Sequence, residues 1–271
     1  MNGTNLTVMT FNLRYHEPND GPNAWPHRIG RAASVIEANG PDVLGVQEGQ
    51  QPMLHDLQER LTGYDWLGQP RTGGPGGEHC AVFYRKERLE ALESGQFWLS
   101  ETPDAPESVS WDSSLPRICT WVRFHDRRTG GTFTHFNTHL DHRGAEARLH
   151  GAVLIFARMT EQRKRYGEPA LLTGDMNCTP DSEPIRFWRG EIEVHGAVSD
   201  LQDVCEQAGV PAGPTFTGFK ETTGGGPIDY IFATPEAKVV RAAVDRTRPG
   251  GGWASDHYPV VAELNLSGVP G

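Results

Sequence analysis

The sequence predicts an α/β protein in which two packed β-sheets carry helices on their outer faces. Short apolar strand patterns alternate with helical patterns in both halves of the chain, and no repeat, low-complexity tract or Ser- or Pro-rich linker separates the halves. The 271 residues, 37% of them hydrophobic, are enough to bury one large core or two smaller ones. We therefore expect residues 1–271 to form a single domain.

The first half opens with a strand–helix–strand unit. Residues 6–13 alternate and are rich in β-branched and aromatic side chains, and residues 42–48 form a short apolar run. Between them, residues 27–40 show helical spacing of apolar side chains and close on Gly40, which suits a helix C-terminus. The other elements predicted for this half are a helix (52–61), a Gly-rich loop (72–79), a strand (80–85), a Pro-marked loop (99–116) and a strand (120–126).

The second half repeats the mixture of strand and helix. A strand at 131–141 follows a Thr-Gly-Gly turn and leads into a long helix at 146–165. Four further strand patterns follow at 169–177, 227–234, 237–245 and 258–266. Each half thus supplies strands and at least one helix, as expected for sheets with outer helices.

The composition limits the expected partners and location. Lys and Arg number 25 against 35 Asp and Glu, which gives a net charge of -10, so binding to long nucleic acid is possible but not favoured. No stretch approaches the ~20 apolar residues that span a bilayer, and the N-terminus lacks a signal-peptide pattern. We expect a cytoplasmic monomer without membrane contact. The four widely spaced cysteines, with no CxxC pair, are predicted to be free thiols.

Polar side chains stand at the ends of most of the predicted strands. They are Asn12, Glu48, His139, Asp141, His142, Asp175, Asn177, Asp229, Asp256 and His257. Taken singly, each is more often a turn former or a strand cap. Strand ends on one edge of a sheet converge, however, so the set predicts one pocket of carboxylates, amides and imidazoles.

In this order, the segments TFN, QE, THLD, GDMN, IDY and SDH resemble the endonuclease/exonuclease/phosphatase superfamily of metal-dependent phosphoesterases. The resemblance extends from Asn12 to His257, and the order and spacing of the short motifs make it specific. It implies a four-layer α/β sandwich with the active site at the open edge of two mixed sheets. It also implies hydrolysis of a phosphodiester or a phosphomonoester.

The resemblance implies a metal site at one side of the pocket. Glu48 would be the principal ligand of Mg²⁺ or Mn²⁺, with Asn12 and Asp256 nearby. Mg²⁺ prefers oxygen ligands and keeps several waters, so one or two carboxylates suit it better than a set of nitrogens.

The resemblance also assigns the groups that act on water and phosphate. Asp175 would orient or deprotonate water, while Asn177 and His139 would contact the phosphate. His257 would be assisted by Asp229. A carboxylate beside an imidazole fixes its tautomer and raises its basicity, so His257 can act as a general base or as a cation, and both roles remain open.

Four further residues are candidates for substrate binding. Arg117 could clamp a phosphate because its planar guanidinium matches oxyanions, although an arginine entering a strand is as often a surface residue. Glu78 is either the carboxylate that orients His139 or a solvated loop residue. Asp141 and His142 complete this group.

Two alternatives to a metal-dependent phosphoesterase come from other functional classes. The segment NTHLDH is similar to a metallo-β-lactamase zinc motif, but Asn137 stands where its first His would be, and GDMN and SDH stay unexplained. A non-catalytic phosphate-binding module is disfavoured because every expected catalytic residue type is present.

Substrate choice is expected to depend on the loops around the pocket. The loops at 70–79, 99–116 and 218–226 contain Arg71 and Lys220 as their basic residues. A nuclease that binds duplexes needs Lys and Arg along a groove to neutralise several phosphates. We therefore expect a small soluble phosphoester rather than long DNA or a membrane lipid, with an endonuclease or exonuclease acting on DNA or RNA as the alternative.

Overall fold

Two six-stranded β-sheets form the centre of the computed structural model, which describes residues 4–74, 76–211 and 213–266. The strands are β1 (Leu6–Asn12), β2 (Val43–Gln47), β3 (Gly49–Gln50), β4 (Tyr64–Leu67), β5 (Glu78–His79), β6 (Val82–Arg85), β7 (Leu89–Trp98), β8 (Ile118–Asp126), β9 (Thr132–His139), β10 (Ala170–Asp175), β11 (Gln202–Asp203), β12 (Asp229–Ala233), β13 (Lys238–Val244) and β14 (Val260–Asn265). The α-helices are α1 (Trp25–Asn39), α2 (Gln51–Arg60), α3 (Ala145–Tyr166), α4 (Glu183–Trp188) and α5 (Val204–Gln207). Short 3₁₀ helices cover Pro18–Asn23 and Pro249–Gly251.

The two sheets have matching centres. The first sheet has the order β13-β14-β1-β2-β6-β4 and the second the order β11-β12-β10-β9-β8-β7, while β3 and β5 pair separately. The central pairs, β1 with β2 and β9 with β10, are parallel. The neighbouring strands β14, β6, β12 and β8 pair with them in antiparallel fashion. Both sheets are therefore mixed, as the resemblance implies.

Clusters of buried apolar side chains lie between the four layers of helices and sheets. Helices α1 and α2 pack on the outer face of the first sheet, where Ile36 and Leu54 join the same buried cluster as Phe11. Helices α3 and α4 cover the second sheet in the same way, with Ile155 packed in the cluster of Phe136. The facing sides of the sheets enclose a third cluster, which includes Val8, Val43, Phe124, Phe133, Ile231 and Leu264. The predicted α/β sandwich is confirmed.

Most predicted elements occur within two residues of their expected bounds, but β7 was not predicted. It is an edge strand of the second sheet, and its pairing with β8 shifts register between Ala91 and Glu93. In this strand Leu92 is exposed and Glu93 is only partly exposed, so the apolar and polar residues of the sequence do not follow the alternation of burial. The short helix α4 was also missed, because six residues give too little periodicity to recognise.

A polar layer joins the sheets directly beneath the carboxyl ends of the central strands. The Nδ2 of Asn137 donates to the carbonyl oxygens of Val46 and Ala81 at 2.9 and 3.0 Å, and its Oδ1 accepts from Gln47 Nε2 at 2.7 Å. Gly45 permits this close approach, because a Cβ there would lie 2.2 Å from Thr173 Oγ1. These contacts thus hold the strand ends of the two sheets at a fixed distance from each other.

Two further sequence predictions concern the state of the cysteines and membrane-spanning segments. All four cysteines are free thiols, as predicted. None of the helices in the described ranges combines the length and apolar character needed to cross a membrane.

Candidate active site

The ends of the four central strands meet at one edge of the two sheets. β1 and β2 are parallel and end together, and β9 and β10 do the same in the second sheet. Asn12, His139 and Asp175 are the last residues of their strands, and Glu48 follows β2 directly. Asp229 pairs with Asp175 across the antiparallel β10–β12 ladder. The fold therefore brings these predicted site residues together.

An open cleft of about 550 Å³ lies over this edge. It is lined by Arg14, Tyr15, Glu48, Arg71, Glu78, Leu115, Arg117, His139, His142, Asp175, Asn177, Phe216, Ile228, Asp256 and His257. The other predicted site residues, Asn12, Asp141 and Asp229, are buried behind this lining. Most predicted site residues thus face one common space.

Glu48, in the lining of the cleft, is held in a strained backbone conformation. Its φ of 60° lies in the left-handed region, which a non-glycine residue adopts at an energetic cost. Its Oε1 accepts a hydrogen bond from Asn12 Nδ2 at 3.1 Å, and its Oε2 accepts from the backbone N–H of Tyr15 at 3.0 Å. Arg14 and Asn177, which also line the cleft, have φ values of 54° and 47°. Such clustering of strain is typical of functional sites.

Asn12 connects the two sheets at the site. The same Nδ2 that donates to Glu48 also donates to Asp175 Oδ2 at 2.9 Å. The Oδ1 of Asn12 accepts a hydrogen bond from the backbone N–H of Arg14 at 2.9 Å. Asn12 was predicted as a neighbour of the metal, and in the structure its amide holds two carboxylates from different sheets in fixed positions.

Asp175 lies between the two histidines of the site. Its Oδ2 is 3.5 Å from His139 Nε2 and 3.7 Å from His257 Nε2, and its Oδ1 accepts from the backbone N–H of Asn177 at 3.0 Å. Burial, followed by the neighbouring charge of Asp229, raises the pKa of Asp175. A carboxylate with a raised pKa is a better proton acceptor than an ordinary aspartate.

The two histidines have opposite electrostatic environments. Although burial alone would lower the pKa of His257, the carboxylates of Asp229 and Asp175 raise it well above its ordinary value. The imidazole Nδ1 donates to Asp229 Oδ2 at 2.9 Å. Burial and then the charges of Arg117 and Arg71 hold the pKa of His139 well below the usual range. We infer an imidazolium at His257 and a neutral ring at His139.

The carboxylates of the cleft provide a donor set for a hard cation. Asp175, Asp229 and His257 have ligand atoms within 4.8 Å of one another, but the bond between His257 and Asp229 already occupies Nδ1. Glu48 and Asp256 both line the open cleft. Burial raises the pKa of Asp256; the charge of His257 opposes this rise, and the charge of Glu48 adds to it. Carboxylate oxygens are the ligands that Mg²⁺ and Mn²⁺ prefer, so Glu48 and Asp256 are suited to hold such an ion.

Glu78 contacts an arginine rather than a histidine. Its Oε1 accepts from Arg71 Nη2 at 2.5 Å, whereas the carboxylate against His139 is that of Asp175. The predicted alternative in which Glu78 orients His139 therefore does not match its position. Glu78 is also only partly exposed, so it is not a freely solvated loop carboxylate.

Asp141 and His142 both contact the side chain of Arg117. The carboxylate of Asp141 accepts from Ser114 Oγ at 2.7 Å and from the N–H groups of Arg143 and Gly144 at 3.0 and 2.8 Å, just before α3. Arg117 Nη2 bonds to His142 Nδ1 at 3.1 Å. Asp141 thus organises a loop, whereas Arg117 and His142 reach the cleft.

Several cleft residues were not identified from the sequence. Arg14 stands two residues after Asn12, the last residue of the TFN motif, and its Nε bonds to Asp20 at 3.0 Å and lies 3.9 Å from Asp256. Buried Arg28 donates to the carbonyl oxygens of Leu13 and Arg14 and so fixes this segment. A cationic residue next to a strand-end motif was the available signal for Arg14.

The cleft also has an apolar wall. Phe216 is 48% exposed, and its ring packs edge-on against that of His257 with a centroid distance of 5.0 Å. Leu115 and Ile228 line the same cleft. An exposed aromatic ring beside an active-site imidazole can contact the organic part of a substrate.

Asn137 does not face the cleft. Because its amide bonds to backbone carbonyls between the sheets, it does not occupy a ligand position. The metallo-β-lactamase alternative requires a ligand at this place. Asn137 thus does not supply the metal ligand that the metallo-β-lactamase alternative requires at this position.

Comparison with known proteins gives a consistent result. The Endonuclease/Exonuclease/phosphatase family model matches residues 9–257. The structure of an endonuclease/exonuclease/phosphatase from Bacteroides vulgatus is similar with a TM-score of 0.88 and 35% identity, covering 97% of this chain and 100% of that one. A mannosyl-6-phosphatase from Bacteroides thetaiotaomicron is similar with a TM-score of 0.85 and 35% identity, covering 96% and 99%.

One curated protein is similar over a shorter stretch. The RNA exonuclease NGL1 of Saccharomyces cerevisiae is 24% identical over 151 residues, which is 43% of this chain and 42% of the yeast protein. The matched stretch therefore spans less than half of that relative.

Proposed function

This chain belongs to the endonuclease/exonuclease/phosphatase family, whose enzymes hydrolyse phosphoesters and generally depend on a divalent metal, and we propose that it hydrolyses a small soluble phosphoester with the help of Mg²⁺ or Mn²⁺. A sugar phosphate is the first candidate substrate, because a mannosyl-6-phosphatase is 35% identical over nearly the whole chain.

The proposal depends mainly on one observation, the meeting of two groups of side chains in one cleft. Glu48 and Asp256 form the first group and supply carboxylates, and Asp175 and His257 form the second group in the lining of the same cleft. Phosphoesters resist hydrolysis because their negative oxygens repel a nucleophile, so catalysis needs charge neutralisation and a positioned water. The two groups provide these two requirements.

A metal ion held by Glu48 and Asp256 would neutralise the charge of the phosphate oxygens. Asp175 Oδ2 would accept the proton of the attacking water, which is consistent with the raised pKa of this carboxyl. The imidazolium of His257, held by Asp229, would stabilise the negative charge that develops on the phosphoryl group. Asn177 and the neutral ring of His139 would donate to or orient the phosphate.

The distribution of charge supports a small substrate. The whole chain has a net charge of -10, and its cleft contains arginines at positions 14, 71 and 117. Their placement inside one cleft suits a single phosphate group better than the regularly spaced phosphates of a duplex. The apolar wall around Phe216 is suited to the carbon face of a sugar ring.

A substrate panel at equal Mg²⁺ tests the proposal. It compares mannose 6-phosphate, a 5′-nucleotide, an inositol phosphate, sphingomyelin vesicles, plasmid DNA and an abasic duplex. We expect the highest kcat/KM for a sugar phosphate. If plasmid nicking or abasic cleavage gives the highest value, the small-substrate proposal is wrong and the nuclease alternative is supported.

We predict that Glu48→Gln weakens Mn²⁺ binding by at least about tenfold, since one charged ligand is lost. The melting temperature without metal should change little, because the amide oxygen can still accept the hydrogen bond of either Asn12 or Tyr15, and loss of the charge removes the repulsion between Glu48 and Asp256. Calorimetric titration with Mn²⁺ measures the affinity. The control is Glu161→Gln on α3, where the carboxylate makes an exposed ion pair with Arg158. Unchanged affinity in Glu48→Gln would place the metal elsewhere.

A further inference from the structure

We propose that Arg71 and Arg117 form a subsite for the doubly charged terminal phosphate of a monoester, and that this pair makes the enzyme prefer phosphomonoesters to phosphodiesters. This inference rests on the proposed function, since it names the substrate class of the same cleft. It depends on the burial, partners and position of the two guanidinium groups.

Arg117 is a buried cation whose charge is incompletely balanced. It is only 4% exposed, and the described residues offer its side chain two acceptors, His142 Nδ1 at 3.1 Å and Asp141 Oδ1 at 3.5 Å. The nearer acceptor is a ring nitrogen, and the Asp141 carboxylate is already engaged by Ser114 and by backbone N–H groups. A buried charge is unfavourable without a close partner of opposite sign, so an anion in the cleft would complete this site.

Arg71 places a second cation on the same wall. Together with Arg117, Glu48 and His139, it borders a small void of about 10 Å³, enough for roughly one water molecule. Both guanidinium groups therefore lie next to the residue proposed to hold the metal and next to a predicted phosphate-contacting residue. This position puts them beside the phosphate and not at a distant part of the substrate.

Glu78 and Trp98 are positioning residues for Arg71. The side chain of Glu78 accepts from Arg71 Nη2 at 2.5 Å, and the backbone N–H of Arg71 donates to the Glu78 carbonyl at 2.9 Å. The indole of Trp98 donates to the carbonyl oxygen of Arg71 at 3.0 Å. Among the described residues, Glu78 is the acceptor bonded to the Arg71 guanidinium, so the remaining N–H groups of this guanidinium are available to a ligand.

Two such cations favour a terminal phosphate for reasons of charge and geometry. At neutral pH a phosphomonoester carries nearly two negative charges and three unesterified oxygens, because its second pKa is near 6. A phosphodiester has one charge and two such oxygens. Each guanidinium can make two parallel hydrogen bonds to an oxyanion, so the monoester can satisfy both arginines at once.

The test compares 4-nitrophenyl phosphate with methyl 4-nitrophenyl phosphate, which share a leaving group and differ in charge. For Arg71→Met we expect the ratio of kcat/KM, monoester to diester, to fall by about tenfold or more. The inhibition constant of inorganic phosphate should rise by a similar factor. Arg241→Met is the control, because Arg241 is an exposed residue of β13 paired with Glu263.

Arg117→Met is the second variant, and if it fails to fold, Arg71→Met alone decides. An equal loss of kcat/KM for both substrates, with phosphate inhibition unchanged, would overturn the subsite and leave the proposed function intact. The absence of metal-dependent hydrolysis of any panel substrate by the unaltered protein would instead overturn the proposed function, and the subsite with it. A selective loss for the monoester in Arg71→Met supports the inference.

Discussion

Replacing Asp175 with asparagine is expected to lower kcat by at least about a hundredfold, because the amide cannot accept a proton from the attacking water. The fold should be retained. The Oδ1 of the new amide can still accept one of the two hydrogen bonds that the carboxylate accepts from Asn12 and Asn177. Steady-state kinetics on the best substrate of the panel measures the effect.

The stability of this variant helps to distinguish a chemical effect from a structural one. Burial, and then Asp229, raises the pKa of Asp175, so its ionised form at neutral pH is less favourable in the folded state than in the unfolded chain. This penalty is present above the folded pKa and disappears as the pH falls toward the unfolded pKa. Removing the charge should therefore leave the metal-free protein at neutral pH as stable as before or more stable.

Asp200→Asn is the matched control, because Asp200 is an exposed partner of Arg163 and lies outside the cleft lining. It should keep its kcat. Full metal-dependent activity in a correctly folded Asp175→Asn protein would show that Asp175 does not act on the water. A similar loss in both variants would point to a general effect of the substitution.

The second large effect is expected at the opposite end of the sandwich, where Arg88 joins both sheets. Arg88 is 3% exposed, and it donates to Asp126 Oδ2 at 2.7 Å and to Asp42 Oδ2 at 2.6 Å. Asp42 directly precedes β2, and Asp126 ends β8. Arg88→Met would remove the nearest counter-ion of two buried carboxylates, leaving Asp42 with Arg85 at 3.9 Å. We expect the free energy of unfolding to fall by about 3–5 kcal/mol.

Denaturant unfolding in urea measures this loss. Arg241→Met removes an exposed ion pair with Glu263 and should change the free energy of unfolding by at most about 1 kcal/mol. The Arg88 pair lies far from the cleft lining, so folded Arg88→Met protein should keep its kcat. A loss no larger than that of the control would mean that the closed end of the sandwich contributes little to stability.

The sheets and the positions of most candidate residues could be predicted from the sequence because both depend on simple periodic patterns. Asn12, Glu48, His139 and Asp175 each stand at the end of an apolar run. Parallel neighbouring strands end at the same edge, so a polar residue at each end is brought into one place. The convergence follows from topology and does not require knowledge of side-chain conformation.

The partners of loop residues could not be predicted in the same way. Glu78 was proposed to orient His139 or to be solvated, and it instead bonds to Arg71, seven residues earlier in the chain. This contact depends on the path of the Gly-rich loop, for which the sequence offers no period. The strand β7 was missed because Leu92 lies on its exposed side and Glu93 on its partly buried side, which obscures the alternation of apolar and polar residues in the sequence.

The role of Asn137 was hidden for a related reason. Its position in NTHLDH suggested a comparison with a zinc motif, but the structure places its amide between the sheets, bonded to Val46 and Ala81. A buried amide that joins two sheets has the same sequence context as one that faces a pocket. Only the packing of the second sheet distinguishes them.

Phosphate release by metal-stripped protein, measured before and after Mg²⁺ is restored, is the most direct test that this cleft is a metal-dependent phosphoesterase centre. With the panel substrate of highest kcat/KM, we expect release at background level without metal and full recovery with Mg²⁺. Glu48→Gln should need at least about tenfold more Mg²⁺ for half-maximal rate. Undiminished release in the presence of EDTA, or an unchanged Mg²⁺ requirement in Glu48→Gln, would contradict the assignment of the metal to Glu48 and of the chemistry to this cleft.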